Sequence, residues 1–205
     1  MTEHDLVEQC REGDRKAQRE LYDRTSERVY RLLLKMTANP DDAFELAQET
    51  YLKAFTRIGQ FDGRSSVATW LYRVAVNEAL QFLRHAGQTR VKLQEITPPN
   101  LADSGIKRSI VWLDVDNAVA TLPPNDRAML LLRYQEGLDY RAIAEVVGCA
   151  AGTVASRLNR ARERMREILR KSYGPVEEGY HGEHLKGGRG VSSEAGRDGG
   201  QRHTG

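Results

Sequence analysis

The segment from Glu136 to Met165 constrains the fold of this chain more than any other. Ile143 and Val147 stand four residues apart, as do Val154 and Leu158, so each pair lines one face of a short helix. Gly148 lies between the pairs and can take the positive φ of a sharp turn. Ala144 is small enough for a second helix to cross close over the first, and Gly152 or Thr153 is expected to cap that second helix. Two short helices on a tight glycine turn make a helix-turn-helix. The second helix runs on through Arg157, Arg160, Arg162, Arg164, Arg166, Arg170 and Lys171, opposed only by Glu163 and Glu167. A helix this basic suits a DNA major groove and its phosphates. An ordinary bundle with a solvated arginine face would share the periodicity. The coincidence of turn, apolar pairs and basic extension favours DNA.

At 205 residues, 40% of them hydrophobic, the chain has room for one or two domains with small cores. Its net charge is only +2, so the basic character is local. No apolar run approaches the length of a membrane span, and the N-terminus is charged from the start. A soluble, cytoplasmic protein is expected. Cys10 and Cys149 lack any CxxC or paired-His spacing, so neither a disulfide nor a metal is expected. There is no nucleophile–base set or phosphate-cradling glycine loop, so neither enzymatic activity nor a cofactor is expected.

Leu6 to Met36 reads as one helix, closed by Asn39-Pro40. Pro40 opens the next, Asp41 to Ile58, with Asp41 and Asp42 in the first turn, where the helix dipole favours acid. Ala43, Leu46, Ala47, Tyr51, Ala54 and Phe55 form its core stripe, and Glu45, Gln48, Glu49 and Lys53 its polar face. Residues 59–66 are a loop by composition, and Thr69 to Arg84 is a helix. In that helix Trp70 and Tyr72 read most simply as core aromatics; beside Arg73 and Asn77 they could also stack on unpaired bases. The pattern fades from His85 to Lys107, around the stiff Thr97-Pro98-Pro99-Asn100, into a linker of twenty-odd residues able to reach ~70–80 Å. Ile110–Thr121 and Asp126–Tyr134 are helices, the latter burying Ala128, Met129, Leu131 and Leu132. Past Tyr173 the chain holds ten of its 18 glycines and is expected to be disordered. His181 and His184 lie there, in a setting that argues against a metal pair.

Taken together, the two halves resemble the bacterial RNA polymerase sigma factors of the extracytoplasmic-function (ECF) group. The family pattern GLSYEEIA…GTVKSRLxRAR is matched by Gly137–Ala144 and Gly152–Arg162, with a Leu122-Pro123-Pro124 lead-in. The pattern DAEDLVQETFLKAW is matched by Asp42–Phe55, followed by Phe61-Asp62-Gly63 and Thr69–Asn77. The resemblance implies an all-α protein of two small helical domains on a flexible linker. These are a region 2 bundle over 1–86, a linker over 87–109, a region 4 helix-turn-helix over 110–173 and a tail over 174–205. It also implies that Asp42, Glu45, Leu46, Gln48 and Glu49 dock on the β′ clamp helices of core RNA polymerase, with the β flap as a further partner. Phe61, Arg64, Ser65, Thr69, Trp70, Arg73, Asn77 and Gln81 would bind the melted −10 element. Thr153, Ser156, Arg157, Asn159, Arg160 and Arg162 would read or anchor the −35 element. An anti-sigma factor is a further implied partner.

Four departures from the family pattern stand out: Glu45 for the usual Asp, Gln81 for Asp or Asn, no proline at Cys149-Ala150-Ala151, and Ala155 where Lys or Arg commonly faces DNA. The last predicts a weakened or altered −35 preference. The rival expectation is a stand-alone helix-turn-helix regulator that binds operators as a dimer.

Overall fold

The structure, a computed structural model, describes residues 2–94 and 110–173; most of the expected linker and the tail lie outside them. Every regular element among the described residues is helical. The expected first helix is two, α1 (Glu3–Arg11) and α2 (Arg15–Thr37). Gly13 at φ 83° breaks it, and Asp14 recaps it by accepting from the Lys16 amide at 2.7 Å. Asn39 caps α3 (Pro40–Arg57) through the amides of Asp41 and Asp42, with Pro40 in the first turn. A 3₁₀ turn, Ile58–Gln60, leads to the loop and then to α4 (Val67–Gln94).

α4 runs on well beyond Arg84, so the expected linker does not begin at residue 87. A single glycine, Gly87, costs a helix only about 1 kcal/mol, and its neighbours are adequate helix formers. α5 (Ile110–Thr121) matches expectation, and α6 (Pro124–Tyr134) starts at a proline. α7 (Tyr140–Val147) and α8 (Ala151–Tyr173) form the helix-turn-helix.

α2 is the spine of the first half. Val29, Leu32, Leu33 and Met36 are fully buried, facing Ala43 and Ala54 of α3 and Leu71, Ala75 and Ala79 of α4. The second half closes around Met129, Leu132, Ile143, Val154 and Leu158. The two halves were expected to be separate domains, yet their buried residues form one continuous cluster.

Polar contacts cross the same seam. The buried Arg127 guanidinium donates to the carbonyls of Met36 at the end of α2 and of Ala120 and Leu122 before α6. Burial without a carboxylate partner disfavours its charge. Lys35 of α2 pairs with Asp116 of α5 at 3.3 Å.

Candidate nucleic-acid interface

In the helix-turn-helix, Asp139 caps α7 by accepting from the Ala142 amide at 2.8 Å. Gly148, at φ 68°, reverses the chain, and the Cys149 amide closes the turn on the Ala144 carbonyl at 3.0 Å. Ile143 is buried as expected, but its buried partner is Val146 rather than the half-buried Val147. Val154, Leu158 and Ala161 hold α8 down. α8 begins at Ala151, which puts Thr153 inside the first turn rather than at the cap.

The opposite face of α8 presents Ser156, Asn159 and Arg160 to solvent, three and four residues apart on one surface. Thr153 and Arg157 flank it, half-buried. Arg162 departs from the expected DNA-facing set. It is half-buried and lines a groove with Lys35, Leu131, Gln135 and Met165, and its Nε has no partner. Arg164 also turns away from that surface, to pair with Asp126 of α6.

In the first half, Arg73, Asn77 and Gln81 of α4 are exposed at i, i+4 and i+8, a single polar stripe. The loop leading into α4 lies next to it in the chain. There Asp62 accepts from the Arg64 amide at 3.1 Å and pairs with the Arg64 Nε at 2.8 Å, and Gly63 takes φ 72°. Ser66 caps α4 through the Thr69 amide at 3.1 Å. Ser65 is half-buried. Phe61 and Trp70, expected as base-facing aromatics, are buried against each other with ring centroids 5.8 Å apart, and Thr69 is also buried. The simpler core reading therefore holds for Trp70, and the rings act as the floor beneath the loop.

Tyr72 is buried on the other side of α4. Its hydroxyl donates to Glu136, which also accepts from the Arg28 Nε at 3.1 Å. Burial, then the adjacent Glu136, pushes the Tyr72 phenol well above its usual range.

On α3, Glu45, Gln48 and Glu49 are exposed and Asp42 is half-buried, whereas Leu46 is only 5% exposed and belongs to the core. Sequence reasoning missed Phe44 and Leu52, which are 58% and 69% exposed on that outer face. Their signal was present as apolar residues lying off the core stripe. Lys53 reaches back to Glu78 of α4, and this contact raises its pKa.

A helix-turn-helix with an exposed polar surface that includes Arg160, fused to a second helical module, is the architecture of a DNA-binding protein. Residues 21–89 match the family model for sigma-70 region 2, and residues 112–165 match that for sigma-70 region 4. The chain is 34% identical over 180 residues to the ECF RNA polymerase sigma-E factor of Haemophilus influenzae, covering 80% of this chain and 93% of that protein. It is 33% identical over 178 residues to the RNA polymerase sigma-H factor of Pseudomonas aeruginosa, covering 80% and 92%. Its fold is similar to that of the sigma factor RpoE of Bartonella quintana, solved with the anti-sigma factor NepR, with a TM-score of 0.63 at 25% identity over 74% of this chain and 96% of that one.

The chain belongs to the ECF sigma factors of the sigma-70 family, the promoter-specificity subunits of RNA polymerase. The family is one of non-enzymatic initiation factors. A stand-alone regulator is not favoured. No helix among the described residues is long and apolar enough to cross a membrane.

Proposed function

We propose that the two halves grip one promoter at two places, acting in the cytoplasm and performing no covalent chemistry. The first half docks on core polymerase through the outer face of α3, with Glu45, Gln48 and Glu49 beside the apolar Phe44 and Leu52. The loop 61–66 and the stripe Arg73, Asn77 and Gln81 hold the melted −10 strand; an amide and a guanidinium can hydrogen-bond base edges and phosphates. Ser156, Asn159 and Arg160 of α8 face the −35 duplex, with Thr153 and Arg157 flanking them. The observation that carries the reading is the pair of separate, exposed polar surfaces, one on α4 and one on α8, each on a rigid helix above a buried apolar floor.

The Bartonella quintana structure, a sigma factor held by an anti-sigma factor, supports a partner of that kind for this chain.

The test is to mix the full chain with core polymerase, follow co-elution, and run off transcripts from a genomic library. A single stable complex initiating at a recurring two-part motif is expected. Duplex binding by the chain alone, with no association with core, would refute the assignment.

A further inference from the structure

Both ends of the loop 61–66 are held from outside the segment that matches region 2. That match begins at residue 21, whereas α1 spans Glu3–Arg11. The Arg11 guanidinium donates to the carbonyl of Phe61, where the loop begins, and its Nε reaches the Ile58 carbonyl at 3.4 Å. Glu8, one turn back, braces the same guanidinium. At the other end, the Glu3 carboxylate accepts from the amide of Val67, the first residue of α4, at 2.9 Å. A carboxylate at a helix N-terminus meets both an unsatisfied donor and the positive end of the dipole.

α1 is a firm base for these two side chains. Leu6, Val7 and Cys10 are buried, and a reciprocal Thr2–Asp5 capping box fixes its start. A cleft of about 330 Å³ separates α1 from the loop, with His4 and Val7 on one wall and Asp62, Gly63 and Ser65 on the other. Among the described residues, the loop between its two ends is tied by its own Asp62–Arg64 contacts and by Ser66, so its height above the Phe61–Trp70 pair is set largely where α1 grips it.

We propose that α1 is the positioning element of this loop: Arg11 fixes its entry and Glu3 its exit, and together they set −10 base selectivity without touching DNA. The inference rests on the assignment of the loop to −10 recognition. A base-reading loop needs such support, because a displacement of about 1 Å can cost a hundredfold in a positioned interaction.

The experiment uses holoenzyme assembled from core polymerase and full-length chain. A pool of randomised single-stranded DNA is selected on it and sequenced. The variants are Glu3→Gln, Arg11→Met and Arg11→Lys. Glu3→Gln, which leaves the helix and its core intact, carries the test if Arg11→Met does not fold. Base preference in the wild-type pool supports the −10 assignment, and its absence would remove that assignment and the selectivity role of α1 with it, whereas a preference unchanged in the variants would sink the role of α1 alone.

Given wild-type preference, Glu3→Gln and Arg11→Met should flatten it about tenfold or more, on the scale of a misplaced contact. Affinity for core and for −35 duplex should stay within about twofold, and Arg11→Lys, which keeps one donor, should restore part of the preference. Hydrogen exchange at the Val67 amide should rise in Glu3→Gln. Folded variants that bind core and keep the full base preference would overturn the proposal. So would a loss of preference accompanied by an equal loss of core and −35 binding, since that pattern marks α1 as mere scaffold.

Discussion

Two side chains test the chemistry residue by residue. Ala155 lies half-buried on α8 beside the exposed Ser156, at a position where the family pattern commonly carries Lys or Arg. Ala155→Arg should tighten −35 duplex binding or change its base preference, by about 1–3 kcal/mol of discrimination for a bidentate contact. A titration with both quantities unchanged would show that the position does not meet DNA. Tyr51 concerns stability. The Thr25 hydroxyl is already committed to the Leu21 carbonyl at 2.6 Å, so the Tyr51 hydroxyl is the donor in their 2.7 Å contact. Burial pushes its phenol up to about 12 from 10. Below pH 10 the phenol is protonated whether the chain is folded or not. Between about 10 and 12 the unfolded chain ionises first, so the contribution to stability is lost as pH rises through the folded value. Tyr51→Phe should cost about 1 kcal/mol at pH 8 through the lost hydrogen bond, yet fall less steeply from pH 10 to 12. Denaturant midpoints across that range check it; parallel curves would mean that Tyr51 does not titrate with folding.

At the scale of elements, α3 separates core from contact surface. Leu46→Ala empties a packed site and should destabilise the chain by about 2–5 kcal/mol. Phe44→Ser with Leu52→Ser removes only exposed apolar surface, so stability should change by about 0.5 kcal/mol or less. The same pair should weaken core polymerase binding by about 2 kcal/mol or more if it anchors the interface. Calorimetry alongside a core-binding titration distinguishes the two roles, and intact binding by the double variant would clear α3 of the contact. Most helices were legible because apolar periodicity and breakers agree: Asn39-Pro40 closes one helix and opens the next. The split of α1 from α2 was not, since Gly13-Asp14 interrupts a pattern that continues on both sides. Leu46 and Arg162 illustrate why the site was only partly legible. A motif assigns a residue to a segment, whereas burial depends on which neighbour the helix meets, and neither the core beneath Leu46 nor the groove around Arg162 is local in sequence. The hold of α1 on the loop was illegible for the same reason, because Glu3 and Val67 are 64 residues apart.

Across the whole molecule, the packing of the two halves conflicts with a two-point grip on DNA. A compact unit of some 170 residues has a radius of gyration of about 15–16 Å and is on average ~40 Å across. Promoter elements separated by more than a helical turn and a half lie roughly 50–60 Å apart, given ~34–36 Å per turn. Under the proposed two-point grip, the halves part along the seam that holds Glu136. That side chain is 2% exposed and is satisfied by Tyr72 and Arg28, both from the first half, and by the neighbouring Gln135 at 2.8 Å. Tyr72→Phe keeps the ring and removes one donor from a buried carboxylate. Leaving the group under-satisfied costs the closed form about 1–3 kcal/mol, whereas parting the halves returns Glu136 to water and relieves that cost. The opening equilibrium should therefore rise roughly 5- to 150-fold, by the usual tenfold per 1.4 kcal/mol. Small-angle scattering should then show a larger radius of gyration with unchanged far-UV circular dichroism. Holoenzyme carrying Tyr72→Phe should gain affinity for DNA bearing both elements, but not for the −35 duplex alone. An unchanged scattering profile in the folded variant would mean that the Glu136 contacts do not hold the halves together.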